Sequence, residues 1–354
     1  MLSTNTSLIP QQTDPDNLES PPSAFETFLT PNDLFYVRNH FACPRIEQRT
    51  WRLRVRGALK PLEFTLEEIM QFPSHTVTAT LECAGNGRAL LAEQTSGVQW
   101  ERGAVGTAEW TGVSLSLVLE QAGITPEDCE VVLTGADGGQ VDEPLPSPGP
   151  IHFARSLPVV KALEKDVILA YRMNGEQLPN EHGFPLRAIV PGWYGMASVK
   201  WLTDVTICKT SFHGFYQTAE YSYWERTQAA PTLRPLRQML LKAQITSPLP
   251  NELLPVSSNF QIRGVAWAGE SEIAMVEVTV DGGNTWAEAQ LLDRPKRYTW
   301  VRFEVSSPGP NRPGKLDLRA RAWNREGCCQ AHSRNQDYRS YAVRHVVPVV
   351  VEFS

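Results

Sequence analysis

The first clear signal along the chain is an alternation of apolar and polar positions. Trp51, Leu53 and Val55 interleave with Arg52, Arg54 and Arg56. That is the two-residue period of a half-buried strand whose arginines face water. Thr65-Leu-Glu-Glu68 then sets a hydroxyl three residues ahead of a glutamate, which predicts a short helix opened by a capping box and stopped by Pro73. An apolar strand over 77–83 runs into the turn-rich Ala84-Gly85-Asn86-Gly87-Arg88. Residues 114–122 carry helical periodicity and are closed by Gly123. Residues 131–133, 167–171, 187–190 and 199–207 read as further strands. The proline-dense stretch 142–150 reads as an exposed loop.

The pattern fades over 225–238, a linker bearing Pro231 and Pro235, and the chain then changes character. Runs at 260–266, 275–280, 286–291, 300–305 and 316–323 are strand-like and closely spaced, with Asp281-Gly-Gly-Asn284 as a hairpin turn. This spacing predicts an immunoglobulin-like sandwich. The expected organisation is a tail or arm over 1–30, a mixed α+β domain over 31–230 and an all-β domain over 240–354. No repeat of roughly 20–50 residues is present, so a solenoid is excluded.

Composition narrows the function. The 354 residues carry a net charge of −6, which argues against a general nucleic-acid binder. Any anion site must be a local cluster of Arg and Lys. No apolar run reaches the roughly 18 residues of a membrane span. Residues 1–22 show no export signal. The six cysteines form no C-x-x-C pair, so neither structural zinc nor a disulfide framework is expected. Reduced thiols and a cytoplasmic location are the resulting expectation.

Cys83 is the sharpest chemical signal. It shares strand parity with Val77, Ala79 and Leu81, which by itself fits an inert core thiol. The small residues that follow it let a ligand approach closely, and their free amides favour a thiolate. A soft thiolate suits a thiophilic metal. With no neighbouring Cys or His at ligand spacing, the other donors would have to come from a cofactor. Arg187 and Lys200 offer charge for a phosphate, Arg187 with its bidentate fork. Each also fits an ordinary paired or surface cation, and His182 fits a structural histidine.

Taken together, Phe35-Tyr-Val-Arg-Asn-His40, Leu81-Glu-Cys-Ala-Gly-Asn86, Trp100-x-x-Gly103-Ala104, His182-Gly-Phe-Pro-x-Arg187 and Lys200-Trp201-Leu202 resemble the sulfite oxidase and plant-type nitrate reductase family over about residues 33–350. The resemblance implies a sulfite oxidase fold followed by a dimerisation domain. It implies molybdenum on a molybdopterin dithiolene, with Cys83 as the protein ligand and no haem in this chain. Pterin contacts would fall on Phe35, Tyr36, Val37, Arg38, Asn39, Asp137, His182, Arg187, Ser198, Val199 and Lys200. The anion pocket would comprise Arg38, Arg88, Trp100 and Tyr221, with Tyr223 a rival for the tyrosine and core packing a rival role for Trp100. Two departures stand out. Gly87 replaces the first of two arginines frequent in the family, and the place of a further arginine from the C-terminal domain falls on Val301, beside Arg302. The implied activity is oxidation of sulfite to sulfate by a homodimer, with electrons passing to an external acceptor such as a cytochrome. Reduction of nitrate, another oxyanion or an S-oxide is the enzymatic alternative. A cofactor-free interaction protein is the alternative from another class.

Overall fold

The computed structural model describes residues 7–125, 127–227 and 230–354. The first domain is built on two five-stranded sheets. In one, Glu176–Gln177, Ile168–Met173, Val105–Ser114 and Ser74–Glu82 lie side by side, and Arg187–Ile189 also pairs with Ile168–Met173. In the other the order is Leu62–Phe64, Leu53–Arg56, Leu202–Cys208, Glu130–Gly139 and Ile151–Pro158. The α-helices are few and short: Leu66–Ile69, Leu115–Ala122 and Val159–Ala162 among the described residues. None is long and apolar enough to cross a membrane.

Local expectations hold where local physics sets them. Leu53 and Val55 are fully buried, and the outward Arg54 grips Asp204 of the next strand at 3.0 and 2.8 Å. The capping box is complete: Thr65 Oγ accepts from the Glu68 amide at 3.1 Å, and the Thr65 amide donates to Glu68 at 2.8 Å. Gly123 ends its helix at φ +80°, where a side chain would be strained.

Two expectations are corrected. The described part of 1–30 is not a loose tail. Ile9–Thr13 and Asp16–Glu19 form a hairpin, and Asp16–Glu19 pairs with Val37–Arg38. The buried Asn17 side chain accepts from the Asn39 amide at 2.9 Å and from Arg38 at 3.2 Å. Polar residues in this segment thus satisfy buried groups of the domain, which a polar sequence did not advertise. The expected linker likewise contains a hairpin, Ser222–Glu225 with Thr232–Pro235.

The second domain is the expected two-sheet sandwich. Lys242–Ser247, Asn259–Trp267, Val301–Pro308 and Gln290–Leu291 form one sheet. Leu253–Leu254, Val349–Phe353, Gly314–Asn324, Ile273–Thr279 and Ala287–Glu288 form the other. The sandwich has its own core, including Ile262, Val276, Phe303, Leu318 and Val351. Trp267, Trp300, Tyr341 and Ala342 instead join the core of the first domain, so apolar burial crosses the boundary.

Gly106 shows how tightly this scaffold holds the region between the sheets. A Cβ there would sit 2.7 Å from the Phe35 ring, itself boxed by Tyr36, Trp110 and His182. Gly106→Ala is expected to destabilise the fold by about 1–3 kcal/mol, the usual scale of overpacking. Urea denaturation of wild type and variant tests this, and equal midpoints would refute it.

Candidate active site

Cys83 follows directly on the strand Ser74–Glu82 and is buried. Its amide donates to Ala104 O and its carbonyl accepts from the Asn86 amide, both at 2.9 Å. The Arg88 amide turns back to Gly85 O at 3.0 Å. Two of the loop amides, those of Asn86 and Arg88, are therefore spent within the turn. The space beside Gly85 is taken by the chain itself. A Cβ on Gly85 or Gly97 would lie 2.7 or 2.6 Å from the Arg88 guanidinium, so the two glycines form the slot in which Arg88 lies.

Cys83 borders two cavities. The first, about 640 Å³, is walled by Phe35, Tyr36, Trp201 and Met196 and carries Asp137, His182, Arg187, Ser198, Val199 and Lys200. The second, about 1190 Å³, carries Arg88, Asn39, Tyr216, Glu220, Arg339 and Tyr341. Four residues line both: Arg38, His40, Cys83 and Tyr221. The Tyr221 hydroxyl and His40 Nε2 are hydrogen-bonded at 2.6 Å. Burial pushes the Tyr221 phenol up to about 12, against the pull of Arg38. Burial, reinforced by Arg38, Lys200 and Arg155, holds His40 well below the ordinary histidine range. At neutral pH the junction therefore holds a protonated phenol and a neutral imidazole.

The cations of the site are held by neutral acceptors. Arg187 donates to His182 O at 2.8 Å and Ser198 O at 3.0 Å. Arg88 donates to Val98 O at 2.8 Å and Ser340 O at 3.2 Å, and it lies 5.4 Å from the Tyr341 ring centroid. Lys200 donates to Glu181 O at 2.7 Å and to the Asn39 side chain. Arg38 donates to Asn39 O and Asn17. None of the four forms an ion pair with a carboxylate among the described residues. Burial lowers Lys200 to about 7 and Arg187 to about 10, and it raises Asp137 to about 6.

The domain family described as "oxidoreductase molybdopterin binding domain" matches residues 40–216, and the "Mo-co oxidoreductase dimerisation domain" matches 234–344. The chain is 33% identical to mitochondrial sulfite oxidase of Mus musculus over 327 residues, covering 87% of this chain and 58% of that protein. It is 36% identical to sulfite oxidase of Gallus gallus, covering 83% and 66%. Against the NAD(P)H nitrate reductase of Hordeum vulgare it is 34% identical, covering 84% and 36%. In three dimensions it is similar to the sulfane dehydrogenase SoxCD of Paracoccus pantotrophus, with TM-score 0.80, 29% identity and coverage of 94% of this chain and 83% of that one. This chain belongs to the sulfite oxidase family. It spans less than two thirds of the curated relatives quoted. Membership speaks against the reading as a cofactor-free interaction module.

The site fits the cofactor this family binds. Asp137 Oδ1 and Arg187 Nε are buried without a hydrogen-bond partner, and both residues line the first cavity. They offer an acceptor and a donor to a polar heterocycle between aromatic walls. Among the described residues no group of three or more His, Cys, Asp or Glu could hold a metal. Cys83 could offer such a metal one thiolate, with the cofactor bringing the other donors.

Not every residue expected in this sulfite oxidase-family site belongs to it. Val37 lines neither cavity, because strand alternation turns it into the core. Trp100 is fully buried, lines neither cavity and packs edge-on against Tyr36, so it backs the wall instead of forming it. Arg187 spends its fork on two carbonyls and offers a ligand only Nε. Tyr223 stacks on Tyr338 away from both cavities, leaving Tyr221 as the site tyrosine. Val301 lies in the sandwich core and Arg302 pairs with Asp293 at 2.8 Å. The second domain reaches the cavity through Arg339, Ser340 and Tyr341 instead. These three were missed, as was the stack of Phe153 on His40 at 4.3 Å. His40 itself lies in the Phe35–His40 motif, with no role of its own expected there. Where Gly87 stands, a Cβ would meet Val343 at 3.2 Å and Lys242 Nζ at 3.7 Å, and that lysine is paired with Glu82.

His182 yields a pH prediction. Burial, with Lys200 and Arg187 nearby, lowers it to about 3, and its Nε2 donates to Asn32 O at 3.2 Å. An unfolded histidine takes up a proton below its ordinary value of 6.5, whereas the folded one resists until about 3. Stability from the neutral ring is full above 6.5 and drains as pH falls through that window. His182→Gln should lose stability less steeply between pH 6 and 4, by up to about 1.4 kcal/mol per pH unit. Parallel urea-denaturation curves for the two proteins across that range would refute the assignment.

Proposed function

We propose that this chain oxidises sulfite to sulfate at a molybdenum centre bound through Cys83, passing two electrons to an external acceptor such as a cytochrome. The observation that carries the reading is the set of cations around Cys83 held only by neutral acceptors. The sulfite oxidases among the relatives support the same substrate. When bound, the cofactor supplies the two-electron oxygen-atom transfer. The chain's own residues do the rest. Phe35, Tyr36 and Trp201 exclude water from the cofactor cavity, and Asp137, Lys200 and the Arg187 Nε orient the polar groups within it. Arg38 and Arg88 place positive charge where an oxyanion meets Cys83, and the Tyr221 hydroxyl adds a neutral donor at that point. Such charge is preorganised, because the guanidinium groups are already anchored on carbonyls.

Purified protein should contain about one molybdenum per chain if each Cys83 binds one centre. In metal-replete Arg38→Gln and Arg88→Gln, kcat/KM for sulfite should fall about 10- to 100-fold, matching about 1.5–3 kcal/mol for one charge-assisted hydrogen bond. The wild-type value should also fall more steeply with salt than either variant's. Equal kcat/KM and equal salt slopes in all three proteins would remove both arginines from substrate binding. Loss of molybdenum from the variants would move them to cofactor binding.

We also propose that the chain is a two-fold homodimer through its sandwich domain, the part that matches the dimerisation domain family. Light scattering at micromolar concentration should return twice the chain mass, and a strict monomer would refute it.

A further inference from the structure

Directly before Cys83, the strand Ser74–Glu82 ends on a buried carboxylate that faces neither cavity. Glu82 Oε1 accepts from Lys242 Nζ at 2.9 Å and from Asn86 Nδ2 at 3.1 Å. Its Oε2 accepts from Trp267 Nε1 at 3.0 Å. Lys242 Nζ also donates to Asn86 O at 3.2 Å and lies 5.5 Å from the Trp267 ring centroid. Asn86 closes the circuit, accepting from the Ala104 amide at 3.2 Å while Ala104 O accepts from the Cys83 amide at 2.9 Å. Glu82, Asn86, Lys242 and Trp267 are all at most 5% exposed. Lys242 and Trp267 belong to the sandwich domain, Glu82 and Asn86 to the first.

We propose that Glu82 is a positioning residue: clamped by Lys242 and Trp267, it fixes the Cys83–Asn86 turn, so that the second domain sets the geometry of the thiolate presented to the metal. This rests on the reading of Cys83 as the metal's protein ligand. A buried ion pair adds little stability relative to apolar residues of the same shape, but removing one partner strands a charge. The gain here is geometric. Both charged partners bond to the same asparagine, one at its side chain and one at its carbonyl, and that asparagine closes the turn on Cys83. A second ion pair across the same boundary, its lysine buried and its glutamate half-buried, provides the contrast. Lys161 Nζ meets Glu270 at 2.6 Å, with no bond to the Cys83 turn.

The test compares purified holoenzymes of wild type, Lys242→Met, Glu82→Gln, Lys161→Met and Cys83→Ser. The readouts are the thiolate-to-molybdenum charge-transfer absorption, molybdenum per chain, kcat and KM for sulfite, and the thermal midpoint. Lys242→Met should shift the charge-transfer band and lower molybdenum retention or kcat by about 10- to 100-fold, the usual effect of removing groups that orient a metal ligand. Its KM should move by less than about threefold, since kcat and KM separate chemistry from ground-state binding. Lys161→Met should lower the thermal midpoint and leave the band in place. If Lys242→Met does not accumulate as folded protein, Glu82→Gln, which keeps the side-chain shape, carries the same comparison. An unmoved band and unchanged kcat in the clamp variants, or equal changes in Lys161→Met, would overturn the proposal. A band lost in Cys83→Ser but intact in the clamp variants would overturn the clamp and leave the ligand reading standing. A band that survives in Cys83→Ser would overturn both.

Discussion

The constraint on which the site depends is positive charge brought inside an acidic protein without acidic partners. Each of Arg38, Arg88, Arg187 and Lys200 is tied to carbonyls or side-chain amides. Neutral acceptors satisfy the N–H groups but leave the charge standing. The strain shows in the titration of the groups: Lys200 is lowered to about 7 and Arg187 to about 10, both chiefly by burial. Asp137, the carboxylate of the first cavity, is itself raised to about 6 by burial, and it forms no ion pair with any of the four. Elsewhere some arginines are paired with carboxylates, as Arg54 is with Asp204 and Arg302 with Asp293, while the buried Arg155 is likewise held by carbonyls. What sets the four apart is that each lines a cavity that Cys83 also borders. Any anion bound there stabilises the folded state by mass action.

What the sequence revealed and what it hid divide along a physical line. The alternation at 51–56, the capping box at Thr65 and the αL glycine at 123 depend on neighbours within a few residues, and all three stand in the structure. Cys83 was legible for a similar reason, a thiol at a strand end before a turn of small residues. The purpose of those small residues was not. Gly85 is open because Arg88 folds back over it, and Gly97, farther on in the chain, makes the other side of the slot. The contribution of Tyr341 and Arg339 was invisible, because their meeting with Cys83 and Tyr221 spans more than a hundred residues and leaves no periodic trace. Aligning by position alone had sent that role to Val301, whose apolar strand neighbours belong to the sandwich core.

The N-terminal segment teaches the converse. Polar composition suggested an arm, yet Asn17 and Glu19 are almost completely buried. Their polar atoms are consumed by Arg38, the Asn39 amide and the amides of residues 101 and 103. A buried polar side chain is tolerated when its hydrogen bonds are all made. Here they orient Arg38, which borders both cavities.

The two domains cannot be separated into one that binds the cofactor and one that merely joins copies. Trp267, Trp300, Tyr341 and Ala342 are buried in the core of the first domain. The Ala342 amide donates to Ala84 O at 2.7 Å, one residue past Cys83. Arg88 is anchored on Ser340 O and faces the Tyr341 ring. The Cys83 turn and one wall of the second cavity are thus assembled from both domains. A displacement at the boundary would move Arg88 and the Cys83 turn together, since both take bonds from residues 340–342. Interior packing transmits such shifts because dense cores leave little room to absorb them. The Arg88 guanidinium and the Cys83 thiol are consequently held in register by one stretch of the second domain.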